Sequence, residues 1–304
     1  MPAIITNKFR LNNAEQFSES FSETANEVYY LGIGRPQPFG TATRPDGRTD
    51  YEGTDALPNT PADSIGREFY TYDDLVAAKR ITGSNVSFVI PRRNWTAGTV
   101  YDIYRHDYGE YTTGSTSVRK TSNSGATTLF DSNFYVLSSA RNVYKCLDNN
   151  GGATSTDEPT GVSTSVITTT DSYKWKFMYT LSAAQQANFL STDFMAVSPN
   201  SNPSSDQSNV MSAAVDGAID IVKIKTAGSG GTAGTFTNIP IRGDGSGGLA
   251  TVVVAGGLVT SVTVTTPGTG YTFGTISNAQ IVAAGATNLA GAELDVIIPP
   301  KGGH

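Results

Sequence analysis

The sequence predicts a mainly β protein with some α: a β-sandwich elaborated by short helices and long loops, joined to a small Gly-rich all-β module. Three observations carry this expectation. Stretches such as SYKWKFMYTL (172–181) alternate aromatic and lysine side chains with the period of two that marks a half-buried strand. Aromatics and glycines are segregated: 26 of the 29 aromatic residues precede residue 195, whereas 16 of the 32 glycines fall within 217–291. The Gly-rich part also repeats itself. AIDIVKIKTAGSGGTAGTF (218–236) aligns without a gap on LVTSVTVTTPGTGYTFGTI (258–276), 40 residues on.

Taken in order, the elements of a first module (1–197) are short. Asn13 with Gln16 reads as a helix start, and Phe17 and Phe21 form an i,i+4 apolar pair. EVYYLGIG (27–34) reads as a strand, and Thr71 followed by Asp74 opens a second helix running through Lys79. In SNVSFVIPRRNW (84–95), Val86, Phe88 and Ile90 alternate as strand residues until Pro91, which has no N–H for a ladder. NFYVLSSA (133–140), NVYKCLD (142–148) and SYKWKFMYTL follow as strands, with Tyr173, Trp175, Phe177 and Tyr179 on one face and Lys174 and Lys176 on the other. Ser182 with Gln185 opens a third helix whose Phe189 and Leu190 face inward. Long polar loops are expected at 40–66, 112–128 and 149–170, a length usual for segments that bind something. SPNSNPSSDQSN (198–209) has the composition of a linker. Beyond it, residues 210–300 form the Gly-rich module, each repeat reading as strand, Gly-x-Gly turn and strand, and residues 301–304 are left as a tail. One 40-residue repeat is too small to bury a core alone, so the two copies are expected to pack on each other.

Composition narrows the function classes. A formal net charge of −6 argues against a nucleic-acid partner. The single cysteine excludes a disulfide framework and a cysteine-built zinc site. Neither a signal-peptide pattern nor an apolar run of membrane-spanning length occurs, so a soluble protein that folds in a cytoplasm is expected, with no membrane partner. No cofactor or metal site is expected. Cys146 sits mid-strand, where a thiol usually acts as a small buried hydrophobe. His106 lies beside Asp102, Asp107 and Glu110 but without metal-ligand spacing. GDGSGG (243–248) lacks the residues of a phosphate loop or a calcium turn and reads as a flexible hairpin connection. None of this composes an active site, and the chain is not expected to be an enzyme.

Interface and structural candidates remain. Arg92 and Arg93 leave the strand end on opposite faces, so one is expected to fork a loop carboxylate while the other, with Trp95, meets a partner. The carboxylates within reach are Asp46, Asp50, Glu52, Asp55 and Asp63 in one loop, and Asp102, Asp107 and Glu110 in another. Tyr101, Tyr104 and Tyr108, in YDIYRHDYGEY (101–111), are the further candidates for a contact surface or a packed loop.

AIITNKFR near the start, GIGRPQPF (32–39), VIPRRNW (89–95), VYKCLD (143–148) and SYKWKFMYTLSAAQ (172–185) occur in that order. This series resembles the baseplate wedge subunit called gene product eight in T-even-like contractile-tailed bacteriophages, in particular its relatives in cyanophages. The likeness covers about residues 3–197, and VIPRRNW and YKCLD are its most specific pieces. It implies a β-sandwich with helices and long loops, a homodimer, and contacts with other wedge subunits, the counterparts of gene products six, seven and ten. It implies a virion protein of the tail baseplate, assembled in the host cytoplasm and without enzymatic activity. The Gly-rich repeat departs from that pattern and is similar instead to strand–GxGY–strand modules of phage structural proteins. The alternative is a glycan-binding or adhesin-type tail module, for which the repeat offers Phe236, Tyr271 and Phe273 as aromatics. A polysaccharide-cleaving tail enzyme ranks third, because acidic residues are scarce in the second module.

Overall fold

The structure is a computed structural model that describes residues 7–21, 23, 28–34, 75–109, 122–198 and 203–304. Helix α1 (Asn7–Ser20) begins upstream of Asn13, which lies inside it rather than capping it. At its end Phe17 meets Phe21 edge-on, and both rings pack on Tyr29 at the start of β1 (Tyr29–Ile33). The helix expected through Lys79 is not formed there: Ala77–Ile81 is strand β2, antiparallel to β1 with Tyr29 opposite Ile81. Helix propensity is a weak prior, and the ladder to β1 satisfies the same main-chain groups. These elements belong to one compact unit, Met1–Phe88; Val89–His304 form the other.

The second unit is mainly β. Its strand β3 (Val89–Pro91) is shorter than the alternation from Val86 suggests, because Gly83–Asn85 form a 3-10 turn just upstream. There follow β4 (Tyr135–Leu137), β5 (Asn142–Asp148), β6 (Ile167–Thr168) and β7 (Lys174–Thr180), then helix α2 (Ala183–Phe189) and strand β8 (Phe194–Ala196). Ser182 and Gln185 close the reciprocal cap that starts α2, and Phe189 and Leu190 pack inward. Four strands form one antiparallel sheet in the order β4-β5-β7-β6, while β3 pairs with β8.

Both faces of this sheet are covered, so β5 is buried at Asn142 through Leu147. Tyr144, Cys146, Trp175 and Phe177 fill one side with Tyr101 and Tyr173. The aromatic row of β7 does not stay on one face. A register shift lets Val143 face Tyr179 and Tyr144 face Phe177, so Met178 is the extra residue and Tyr179 turns to the opposite cluster with Leu137 and Leu181. Lys145 and Lys176, opposite one another on that second side, are buried instead of solvated.

Residues 198–209 do not separate compact units, because helix α3 (Ser205–Ala213) starts within them and buries Gln207 and Val210. The Gly-rich part carries β9 (Ile221–Ser229), β10 (Gly234–Pro240), β11 (Arg242–Gly243), β12 (Leu249–Ala255), β13 (Leu258–Thr266), β14 (Gly274–Thr275), helix α4 (Asn278–Ala283) and β15 (Ala290–Ile297). The repeat is visible in the backbone. Gly228 and its equivalent Gly268 both have φ near +70° (73° and 67°), a region that side chains with a Cβ disfavour. A two-residue turn, Gly256–Gly257 with both φ positive, joins β12 to β13 in the geometry that matches strand twist.

Pairing crosses between the copies. The first strand of the second copy, β13, pairs with β12 of the first copy; the first strand of the first copy, β9, pairs with β15 of the second. Ile219, Val252, Val254, Val259, Ile276 and Ile281 are at the centre of the shared core. A further small cluster joins this part to the four-stranded sheet: Tyr104 and Leu147 pack with Ile221 and Ile297. The 301–304 stretch is not a free tail either, since the His304 side chain is buried.

Candidate functional site

VIPRRNW is a seam. Pro91 faces Phe194 across the β3–β8 ladder, and one further main-chain bond follows it, from Arg92 N–H to the Asp193 carbonyl at 2.7 Å. The chain then crosses to the other sheet. Leu137 N–H donates to the Arg93 carbonyl (2.7 Å) and Trp95 N–H to the Leu137 carbonyl (2.9 Å). Arg92 Nε donates to Asn94 Oδ1 at 2.9 Å and its Nη1 to the Ser191 carbonyl at 2.8 Å. The Arg93 guanidinium lies 5.3 Å from the centre of the Tyr135 ring, with Nη2 on the Asp131 carbonyl at 3.5 Å. Neither arginine forks a carboxylate among the described residues; of the expected acids, Asp46, Asp50, Glu52, Asp55, Asp63 and Glu110 lie outside them. Trp95 is half-buried against the aromatic core and donates its indole N–H to Ser155 Oγ at 3.1 Å.

The fork expected there occurs at Arg105. Its Nε and Nη2 hold the two oxygens of Asp107 at 2.8 and 3.0 Å, and Nη2 also reaches Asp295 on β15 at 3.0 Å. Burial opposes the charge, but the two carboxylates outweigh it and raise the Arg105 pKa. Tyr101 and Tyr104 are core residues, and Tyr108 donates its hydroxyl to the Ile103 carbonyl at 2.7 Å, so these three tyrosines pack within the unit. His106 is engaged as well, its Nδ1 accepting Ile298 N–H at 3.1 Å. Cys146 is fully buried, and burial pushes its thiol well above the usual range. GDGSGG is pinned: Asp244 accepts Thr272 and Phe273 N–H, while the buried Tyr271 hydroxyl accepts Gly248 N–H and donates to the Ile241 carbonyl. Of the three aromatics in the repeat, Tyr271 is buried, Phe236 packs on the core and Phe273 is exposed.

Two recesses lie among the described residues of the second unit. One is an apolar groove of about 450 Å³ whose walls include Ile90, Pro91, Phe134, Tyr135 and Met178. Phe130 on its rim is 80% exposed, and Val89 and Phe194, beside Ile90 and Pro91 in the β3–β8 sheet, are 45% and 49% exposed. The other is an open recess of about 620 Å³ whose walls include Lys176, Asp220, His304, Ser246 and Thr269 among small and apolar residues such as Val166, Val215 and Pro267. Lys176 Nζ donates to the Thr164 carbonyl at 2.7 Å. Lys145, behind it, holds its ammonium 5.2 Å from the centre of the Tyr104 ring. Burial, then the neighbouring Lys176 charge, brings the Lys145 pKa down to about 8, against a smaller lift from Asp220. Burial and the two lysines likewise hold His304 down at about 2, so its imidazole is neutral, and its Nδ1 has no hydrogen-bond partner. Burial raises Asp220, which the lysines oppose.

These residues carried no spacing signal. In the sequence Lys176 shares a strand face with Lys174 opposite the aromatic row, Lys145 carries no signal of its own, and His304 reaches the recess from the far end of the sequence. Among the described residues, no group of three or more His, Cys, Asp or Glu side chains is placed to hold a metal ion, and no helix is long and apolar enough to cross a membrane. No protein-family model matches the chain, and no curated protein matches it.

Proposed function

We propose that this chain is a structural subunit of a contractile-tail baseplate wedge, acting by homodimerisation and by contacts with other wedge subunits. The apolar groove is the observation that carries the reading. A soluble surface rarely leaves a phenylalanine as exposed as Phe130 at the edge of a hydrophobic recess unless another protein covers it. Burying a phenylalanine that is 80% exposed is worth about 1.5–3 kcal/mol, so a few such residues give a contact of useful strength. The ordered motifs VIPRRNW and YKCLD support the same reading, for both serve framework roles: the first stitches two sheets together and the second is a buried central strand. We assign the groove to a second copy of the chain, and the remaining surface to the counterparts of gene products six, seven and ten.

Sedimentation velocity at micromolar concentration should show a dimer that Phe130→Asp converts to a folded monomer. A parent protein that stays monomeric, alone and with wedge subunits added, would overturn the proposal. A glycan-binding tail module is the weaker alternative, since Phe273 alone of the three repeat aromatics is exposed for stacking on sugars.

A further inference from the structure

The face that holds the apolar groove carries both halves of a matched set. Phe130, on the rim, is 80% exposed, and the groove beside it is walled by Ile90, Pro91, Tyr135 and Met178. A projecting ring and a recess that fits a ring therefore stand side by side on one protomer. Charge is distributed in the same way. The Arg93 guanidinium lies 5.3 Å from the centre of the Tyr135 ring, and no carboxylate among the described residues is close enough to pair with it. Its Nη2 reaches only the main-chain carbonyl of Asp131, at a long 3.5 Å. Asp131 follows Phe130 directly and is exposed. Its carboxylate is turned back on its own segment: Oδ2 accepts the Thr128 hydroxyl at 2.8 Å, and the Asp131 N–H donates to that hydroxyl at 3.3 Å. The turn at 128–131 thus keeps the acid off the nearest cation. Among the described residues, neither charge is neutralised within the protomer.

We propose that two copies meet here about a two-fold axis, each seating its Phe130 in the groove of the other and pairing its Arg93 with Asp131 of the other. This inference rests on the assignment of the groove to a second copy. A two-fold axis sets one patch against itself, so each knob needs a hole, and each cation an anion, on that same patch. This face has one of each. A head-to-tail contact would need the complement of the groove elsewhere on the surface and would leave Arg93 and Asp131 unmatched. The two contacts divide the work. A phenylalanine ring in an apolar groove supplies non-directional burial, whereas a guanidinium on a carboxylate fixes orientation and rejects a wrong register. Arg93 and Asp131 are therefore the residues that set which way round the copies join.

Charge reversal on the full chain, read by sedimentation velocity, tests the arrangement separately from the existence of the dimer. Arg93→Glu sets acid against acid at both symmetric contacts, and Asp131→Lys sets base against base. Each variant alone should weaken the dimer by about a hundredfold, about tenfold per contact. An equal mixture of the two should dimerise within about threefold of the parent, because one contact is then the native pair and the other its reverse. Should Arg93→Glu fail to fold, Arg93→Gln mixed with Asp131→Lys should still recover about tenfold over Asp131→Lys alone. Suppose Phe130→Asp abolishes the parent dimer, but the charge reversals leave it intact or the mixture fails to rescue it. The two-fold arrangement is then overturned while the groove remains the dimer contact. A parent that stays monomeric, or a dimer indifferent to Phe130→Asp, overturns both, and so does a monomer that uses Phe130 only to bind an added wedge subunit.

Discussion

Arg105 is the residue whose removal should hurt most for its size. Its guanidinium makes two contacts to Asp107, whose side chain is 4% exposed, and one to Asp295, which is 22% exposed. Arg105→Ala leaves Asp107 as a buried carboxylate with its fork gone, a loss of about 3–5 kcal/mol. Asp295 adds little to this, because water can re-solvate it. Arg105→Lys keeps the charge but cannot span both oxygens of Asp107 and reach Asp295 together, so about 1.5–3 kcal/mol should go. For a unit of this size each kcal/mol moves the melting midpoint by about 2–4 °C, so the alanine variant should melt about 6–20 °C lower. Pairing Arg105→Met with Asp107→Asn should recover part of the loss, since a neutral amide then replaces the buried carboxylate. Arg105→Ala melting with the parent would show that the fork contributes nothing, and no recovery in the double variant would show that the loss does not come from the bared carboxylate.

Lys145→Met should stabilise the protein at pH 7, because burial lowers the folded pKa to about 8 and the charged form is disfavoured throughout the range below that. The gain, at most about 3 kcal/mol, should shrink as pH rises from about 8 to 10, where the parent deprotonates in the folded state first; melting curves at pH 7 and 10 test this. Asp171 has the opposite sign: burial lifts its pKa, but bonds from Thr169 and from the N–H groups of Thr156, Asp157 and Tyr173 outweigh it and hold it at about 2. Its contribution is full above the unfolded value near 4 and is lost as pH falls to about 2, so Asp171→Asn should flatten the acid limb of the melting profile. Cys146 should resist alkylation in the native protein and react once unfolded, and Cys146→Ser should cost about 1–3 kcal/mol in urea titration. Arg93→Lys should lose the contact over Tyr135 at a cost below about 1 kcal/mol, and a larger drop in melting would point to a role for its buried Nε.

The parts of this fold legible in the sequence are those governed by local periodicity and local capping. β5 matches the expected 142–148, and Ser182 with Gln185 caps α2 as the spacing says. The 40-residue repeat became two equivalent strand–turn–strand paths. What escaped were consequences of distant chain arriving at a surface. Lys176 alternates with aromatics and reads as solvated, but the loop carrying Thr164 covers it and the Gly-rich part encloses the rest. The sequence points to a carboxylate fork at Arg92 or Arg93, because Pro91 marks a strand end there. It is met at Arg105, because Asp295, 190 residues away, is brought alongside by β15. Met178 carries no mark of the register shift that turns Tyr179 away from Phe177.

The crossed pairing of the two repeats has a kinetic side. β12 and β13 are joined by two glycines, so their ladder closes a loop of minimal length, whereas Ile221 opposite Ile297 closes one that contains everything between. Loop-closure entropy makes the first contact quick and leaves the second dependent on the rest of the core already being in place. Pulse-labelled hydrogen exchange should therefore protect the Val252 and Val262 amides well before those of Val222 and Val296. Two ladders that are equivalent in space are unequal in time, and until the later one closes β9 presents a bare strand edge to any neighbouring chain.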